Sequence, residues 1–169
     1  VGDKNTELFN KLGVSTVGAL LFFYPRTYED WSEPYSISSC PINEPCCIKA
    51  IVDSPIKKNI IRAGMTIYKL KISDGLSTIT INYFNNHYIS KMLSTGQEYL
   101  FYGKVTVRNY QKEMNSPKFK EFVPSVGLRP IYNCTNGLTS GKIEACVKHA
   151  IELLPETVND PIPQDIRTK

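Results

Sequence analysis

The chain has 169 residues, of which 41% are hydrophobic and 21% are charged, a mixture that excludes wholesale disorder. The net charge of +4 is compatible with an anionic partner but does not demand one. The longest apolar run, VGALLFFYP, is far below the roughly 20 residues that span a bilayer, and nothing resembles a signal peptide. We therefore expect a cytoplasmic localisation. The start at Val1 and the polar, proline-rich end suggest a piece of a longer protein.

The first 25 residues predict two short helices. Apolar side chains recur at helical spacing in residues 7–12, and Gly13 closes the turn. Ser15 or Thr16 can cap a second helix, which ends before Pro25. The stretch PRTYEDWSEP then predicts a polar, solvated connector.

From Cys46 the pattern changes to the period-two alternation of strands. Asp74-Gly75 is a tight-turn signal, and Gly103 suggests a bend or bulge. Pro117 implies an edge or break in the last strand. In order, the predicted segments are the strand CCIKAIVDSPI, the basic loop KKNIIRAG, the strands MTIYKLKISDG and STITINYF, a short helix within residues 87–95, and the strands EYLFYGKVTVRN and EMNSPKFKEFV.

Three strands, a helix and two more strands form the order of an OB-fold, a five-stranded Greek-key barrel whose second and third strands commonly bind oligonucleotides or oligosaccharides. An SH3-like barrel is the main competitor, and the helix argues against it. A further helix is predicted from about Lys142, before a tail that looks like a linker. The predicted class is mainly β with flanking helices, organised as a lead-in over 1–45, a barrel over 46–124, and a return loop, helix and linker over 125–169.

Sequence motifs for catalysis and metal binding are missing. There is no phosphate loop, no G-x-S-x-G, no H-E-x-x-H and no paired-carboxylate motif. The five cysteines are scattered and form no C-x-x-C pair, which makes a zinc site improbable. We therefore expect reduced thiols, no metal and no catalytic residues.

A binding surface has better support. Alternation along STITINYF places Phe84 on the polar face with the threonines, so its ring is either a binding platform or a cap under a loop. The same alternation points Leu100 outward and Val107 inward. Cations that track phosphates beside a ring that stacks on bases are what unpaired nucleic acid requires. The candidate cations are Lys69, Lys71, Lys104, Arg108, Lys57, Lys58 and Arg62.

The stretch LFNKLGVSTVGALLFFYPRTYED ends in a P-R-x-Y-E-D motif at residues 25–30. It resembles the lead-in of the RecG family of ATP-dependent DNA helicases, which ends in that signature. YKLKISDG, YFNNHYISKML, FYGKV and LRPIYNCTNGLTSGKIEACVKHAI follow in the family's order and spacing. The resemblance covers nearly the whole chain.

The resemblance implies an N-terminal wedge domain that splits the junction of stalled replication forks and supports their regression in recombination and repair. The family's stacking pair, spaced F-N-x-x-Y, corresponds to Phe84 and Tyr88, with Asn85 as its asparagine. The implied partners are branched DNA (forks and Holliday junctions) and the motor domain of the parent chain. ATP and magnesium would belong to that missing motor, so this chain is not expected to be an enzyme. The alternative is an OB-fold module for protein or oligosaccharide.

Overall fold

A computed structural model describes residues 3–122 and 127–154. The chain divides into two compact units, one drawn from Val1–Glu29 and Pro130–Lys169 and the other from Asp30–Arg129. In chain order the elements are α1 (Asp3–Lys11), α2 (Val17–Leu21), β1 (Thr27–Asp30), β2 (Pro45–Val52), β3 (Lys57–Arg62), β4 (Met65–Ser73), β5 (Thr78–Phe84), α3 (Ile89–Met92), β6 (Glu98–Arg108), β7 (Gln111–Asn115), β8 (Lys118–Glu121), β9 (Leu128–Ile131) and α4 (Ser140–Glu152).

The first unit is helical, and both predicted N-terminal helices are present. The Thr16 hydroxyl accepts a hydrogen bond from the Ala19 amide at 3.1 Å, so Thr16 rather than Ser15 caps α2. Phe9 of α1 and Ile143 of α4 are buried in one apolar cluster, which stabilises the three helices together. The predicted tail beyond residue 154 lies outside the described residues. Among the described helices, none has the length and apolar character that crossing a membrane requires.

The second unit is an OB-fold barrel, as predicted. β2 pairs with both β4 and β6, β4 pairs with β5, and β5 pairs in parallel with β7. β6 completes the circuit by pairing with β7 and β8. Inward side chains from all these strands fill one core, which includes Ile48, Leu70, Ile81, Phe101 and Met114. Closure leaves the outer face of β4 and β5 as the surface on which a ligand can lie.

Two predicted segments are corrected by the strand pairing. The expected basic loop is the strand β3, which forms a hairpin with β4. All six of its residues are exposed, so no alternation marked it as a strand. The expected fifth strand is divided at Ser116 and Pro117 into β7 and β8, because the proline cannot donate a ladder hydrogen bond.

Gly103 lies where β6 exchanges one neighbour for another. β6 pairs with β8 as far as Tyr102 and with β7 from Val105 onward. A Cβ atom at Gly103 would lie 3.1 Å from the Met114 Cε and 3.3 Å from the Pro117 Cα. The close approach of the chain therefore favours glycine at this position, because a larger residue would press on Met114 and Pro117.

The connector was expected to be polar and solvated, and this is wrong at several positions. Thr27–Asp30 is the strand β1, which pairs with β9, and Glu29 is buried. Trp31 is only 1% exposed and packs against Cys47 and Leu100. Leu100 points away from the barrel interior, as predicted, but the tryptophan covers it.

Val107 does not follow the predicted faces of β6. Its side chain is exposed although the alternation places it inward. At this point β6 pairs with Lys112 of β7, beyond the pair Val105–Met114, which is the last pair of this hairpin with side chains in the barrel core.

Candidate nucleic-acid interface

Phe84 ends β5 on the outer face of the barrel. Its neighbour across the ladder is Ile67 of β4, and its side chain is 41% exposed. The preceding residue, Tyr83, points inward, where burial raises the pKa of its phenol and the hydroxyl donates to the Pro117 carbonyl. The strand therefore fixes one aromatic ring in the core and presents the next one to solvent.

Asn85 fixes the direction in which the chain leaves β5. Its backbone has a φ of 51°, a left-handed conformation that asparagine tolerates better than most residues. Its amide donates to the Thr66 carbonyl at 2.8 Å, and its Oδ1 accepts from the Thr66 amide at 2.8 Å. The two bonds hold the turn against β4, so the asparagine has a structural role in placing the exposed ring beside it.

Tyr88 is the N-cap of α3, and its ring is 59% exposed. The next residue, Ile89, is fully buried and anchors the short helix to the barrel core. The His87 ring lies 4.1 Å from the Tyr88 ring, centroid to centroid. Two exposed aromatic rings thus flank one rigid turn, four residues apart in the chain.

Three of the predicted cations share a face with Phe84. Lys57 lies directly opposite Lys69, and Lys69 lies opposite Asn82 of β5. Lys71 follows two residues later on β4, and all three lysines are exposed. Opposed residues and residues two apart point to the same side of a sheet, so the lysines form a basic strip beside the ring.

Arg62 and Arg108 border this strip at two different places. Arg62 and Phe84 line an open hollow of about 570 Å³ at the tip of the β3–β4 hairpin. Arg108 and Lys69 line another hollow, of about 230 Å³, beside the turn between β6 and β7.

Two predicted cations lie apart from the strip. Lys58 is opposite the inward-pointing Tyr68, so it occupies the reverse face of the hairpin. Lys104 is exposed on β6 opposite Pro45 of β2, and it lines neither of these hollows.

Other basic residues of the barrel unit are used within the fold. The Lys112 ammonium donates to the Ile37 carbonyl at 2.6 Å and to the Ser38 carbonyl at 3.0 Å, which ties the segment between β1 and β2 to β7. The Lys120 ammonium lies 4.2 Å above the Trp31 ring. Their positive charge is therefore less available to a ligand than the charge on the exposed strip.

Thr80 was predicted on the wet face with Phe84, but it is 8% exposed. It lies opposite Lys71 on one side and Glu113 on the other. The neighbouring strands and the β6–β7 turn rise around it, so it forms the floor of a groove.

The titratable groups of the barrel show a structural rather than a catalytic arrangement. Burial alone would raise the pKa of Asp74, but amides of Ile37, Leu76 and Ser77 donate to its carboxylate and lower it. Burial raises the pKa of Cys46 to about 11. Within the part of the chain that the structure describes, no group of histidine, cysteine and acidic side chains could hold a metal ion.

The strand circuit defines an OB-fold domain, and its outer face carries exposed aromatic and basic side chains. The model of one family, described as the RecG wedge domain, matches residues 1–154. The chain belongs to that family.

Relatives and a solved structure agree with this assignment. The chain is 28% identical to the ATP-dependent DNA helicase RecG of Thermotoga maritima over 100% of its own length and 22% of the relative's. It is 27% identical to the Escherichia coli K12 protein of the same name, over 91% of this chain and 23% of that one. A solved structure of RecG bound to a three-way DNA junction has a TM-score of 0.81 and 25% identity, covering 99% of this chain and 24% of that one. The chain thus spans about a quarter of the relatives' length.

Proposed function

We propose that this wedge domain binds branched DNA at the point where the strands separate. Phe84 and Tyr88 stack on the first unpaired bases, because a flat exposed ring accepts any base on its face. The observation that carries the proposal is the pair of exposed rings flanking the turn that Asn85 clamps. The family membership and the likeness to a RecG structure bound to a three-way junction support it.

The basic strip supplies the second part of the interaction. Lys57, Lys69 and Lys71 are exposed and share the face of Phe84, so they are placed to contact phosphates of the separated strands. Arg62 and Arg108 extend the positive surface toward the two hollows. Such contacts read charge rather than sequence, so we expect little base specificity.

The parent protein is proposed to be an ATP-dependent DNA helicase that remodels stalled replication forks. The relatives carry that helicase name, and this chain spans about a quarter of their length. In this proposal the motor domain and its ATP and magnesium lie outside the chain, while the wedge splits the junction that the motor drives onto it. Fork regression would then serve recombination and repair.

Fluorescence anisotropy of the purified chain with a labelled three-way fork, the matching duplex and a single strand tests DNA binding. We expect the fork to bind most tightly. Each phosphate contact should contribute about 0.7 to 0.9 to the slope of log affinity against log salt. Lys69→Ala and Lys71→Ala should each reduce that slope.

The aromatic pair is tested by a Phe84→Ala, Tyr88→Ala double variant. Each lost stacking contact should cost about 1–3 kcal/mol, or about fivefold or more in affinity. The matched control replaces Phe22 and Tyr24, a phenylalanine and a tyrosine that are also exposed but lie in the helical unit. Equal losses in both double variants would refute the assigned site. Binding that is indifferent to salt would instead favour a protein or oligosaccharide ligand.

A further inference from the structure

The turn between β6 and β7 has an unusual residue at its tip. Asn109 and Tyr110 connect the paired residues Arg108 and Gln111, with φ values of 49° and 61°. A two-residue hairpin loop with both residues left-handed is a type I′ turn, for which Asn-Gly is strongly preferred. Asn109 suits the first position. Tyr110 occupies the position where glycine is usual and a bulky residue is strained.

Packing does not explain the tyrosine. Its relative exposure is 103%, so its ring is as accessible as in an extended chain. A strained backbone position that gains no burial is more often kept for a ligand than for stability. The same turn with glycine would satisfy the hairpin equally well.

The Tyr110 side of the turn borders a groove of the proposed DNA-binding face. Tyr110, Lys71, Thr78 and Thr80 line an open hollow of about 340 Å³. The hollow that contains Lys69 and Arg108 adjoins it, since both share the lining residues Thr80, Gln111 and Lys112. The β6–β7 turn thus forms one wall, and the outer faces of β4 and β5 form the other.

The charge in this groove suits a phosphate backbone. In the part of the chain that the structure describes, no hydrogen bond or ion pair engages the Lys69, Lys71 or Arg108 side chain. The Glu113 carboxylate also lines the groove, but it accepts a hydrogen bond from the Asn82 amide at 3.3 Å. Three exposed cations therefore outnumber one engaged acid.

The groove and Phe84 lie at opposite ends of β5. The six steps from Thr78 to Phe84 span about 20 Å at roughly 3.3 Å per residue. Lys69 and Lys71 lie between the two ends, on the same face. At about 3.4 Å per stacked nucleotide, this length corresponds to roughly six nucleotides, within the range of known OB-fold sites.

We propose that Tyr110 is a third stacking residue, and that the surface from Phe84 to Tyr110 holds an unpaired nucleic-acid strand of about six nucleotides. The inference rests on the proposed function, because it assigns a path to one strand after it leaves the junction at Phe84 and Tyr88. Lys69, Lys71 and Arg108 contact its phosphates, and the Tyr110 ring closes the far end of the path.

Anisotropy with labelled oligodeoxyadenylates of about four and about eight nucleotides tests the path, because adenines stack on one another along a single strand. In that stacked form the four-nucleotide strand is about 14 Å long and cannot reach both ends, whereas the longer strand can. Tyr110→Gly should weaken the longer strand about fivefold or more and leave the shorter one nearly unchanged. Tyr110→Phe keeps the ring and should retain wild-type affinity. Tyr24→Gly, which removes another exposed tyrosine ring but in the helical unit, is the matched control.

The thermal midpoint separates a ligand role from a structural one. Since glycine relieves the strain at this turn, Tyr110→Gly should unfold at the same or a higher temperature than the wild type. Weaker binding by an equally stable variant supports the proposal.

Wild-type affinity of Tyr110→Gly for the longer strand would overturn the inference. If the Phe84→Ala, Tyr88→Ala variant still lost fork binding, the proposed function would stand. Fork binding by a wild-type chain that binds no single strand would likewise overturn the strand path and leave the proposed function intact. Failure of the wild-type chain to bind any of the DNAs would count against the proposed function itself.

Discussion

Trp31 offers a direct test of how the connector stabilises the barrel, through the substitution Trp31→Ala. The Trp31 ring stacks on Tyr102 with centroids 5.2 Å apart and an angle of 22° between the planes. It also packs on Cys47 and Leu100, and it receives the Lys120 ammonium on its face. Alanine would remove the cover from this outer cluster and leave its apolar side chains exposed to water.

The size of the effect follows from burial. Trp31 is 1% exposed, so the substitution by alanine removes a side chain that is almost entirely buried. Substitutions of buried tryptophan by alanine typically cost about 3–5 kcal/mol. Stacking on Tyr102 adds about 0.5–1.5 kcal/mol beyond area burial, which favours the upper half of that range. Small domains have only about 5–15 kcal/mol of stability, so the barrel should become marginal.

The assay is urea unfolding followed by far-ultraviolet circular dichroism, because Trp31 is the chain's one tryptophan and the variant has no indole fluorescence. Trp31→Phe retains an aromatic face for Tyr102 and should lose less stability than alanine. Leu76→Ala, at a fully exposed turn, is the control and should stay within about 0.5 kcal/mol of the wild type. A loss below about 1 kcal/mol for Trp31→Ala would refute the view that the connector is part of the core.

Three further predictions follow from single contacts. Gly103→Ala should destabilise the chain by about 1–3 kcal/mol in urea unfolding, since the new methyl group would lie 3.3 Å from the Pro117 Cα. Gly18→Ala, whose Cβ has no neighbour closer than 3.8 Å, is the control and should not destabilise the chain. Equal losses of stability in the two variants would contradict this account. Asp74→Ala should cost at least about 1.5 kcal/mol at neutral pH. Because folding lowers the pKa of the Asp74 carboxylate from 3.8, the stability difference between wild type and variant should persist above pH 3.8. It should disappear as the pH falls through the folded-state pKa of Asp74. A stability difference that grew in acid would contradict the stabilising role of the ionised carboxylate. The exposed Cys134 should react with a thiol reagent in the native state. Cys46 should react only after unfolding, because burial raises its pKa to about 11. Fast labelling of Cys46 in the native state would contradict its burial.

Local signals in the sequence predicted the barrel because strands such as β4 and β5 alternate polar and apolar residues, and several turns carry glycine or asparagine. STITINYF gives one buried and one outer face, and the exposed Phe84 is visible as an apolar residue out of phase. The β3 strand could not be predicted in this way. Its side chains are exposed on both faces of a projecting hairpin, so burial imposes no alternation on them.

Long-range packing explains the other differences. Alternation correctly directed Leu100 away from the barrel interior, but it carries no information about what covers that side. Trp31 lies far away in the chain, and a single tryptophan in the polar stretch EDWSE has no periodic signal. The unusual position of Tyr110 was equally hidden, because a tyrosine at a glycine position of a type I′ turn is recognisable only when both φ values are known.

The aromatic and basic parts of the candidate site differ in how far sequence can place them. The aromatic spacing is set by a local device, since Asn85 bonds to Thr66 and fixes the turn between two rings four residues apart. The availability of each lysine depends instead on distant partners. Lys112 is held by the carbonyl of Ile37, 75 positions away in the chain, while Lys69 on the neighbouring surface is exposed. A count of basic residues therefore overstates the phosphate-binding surface, and the salt dependence of DNA binding should reflect the smaller number of cations that the fold leaves exposed beside Phe84.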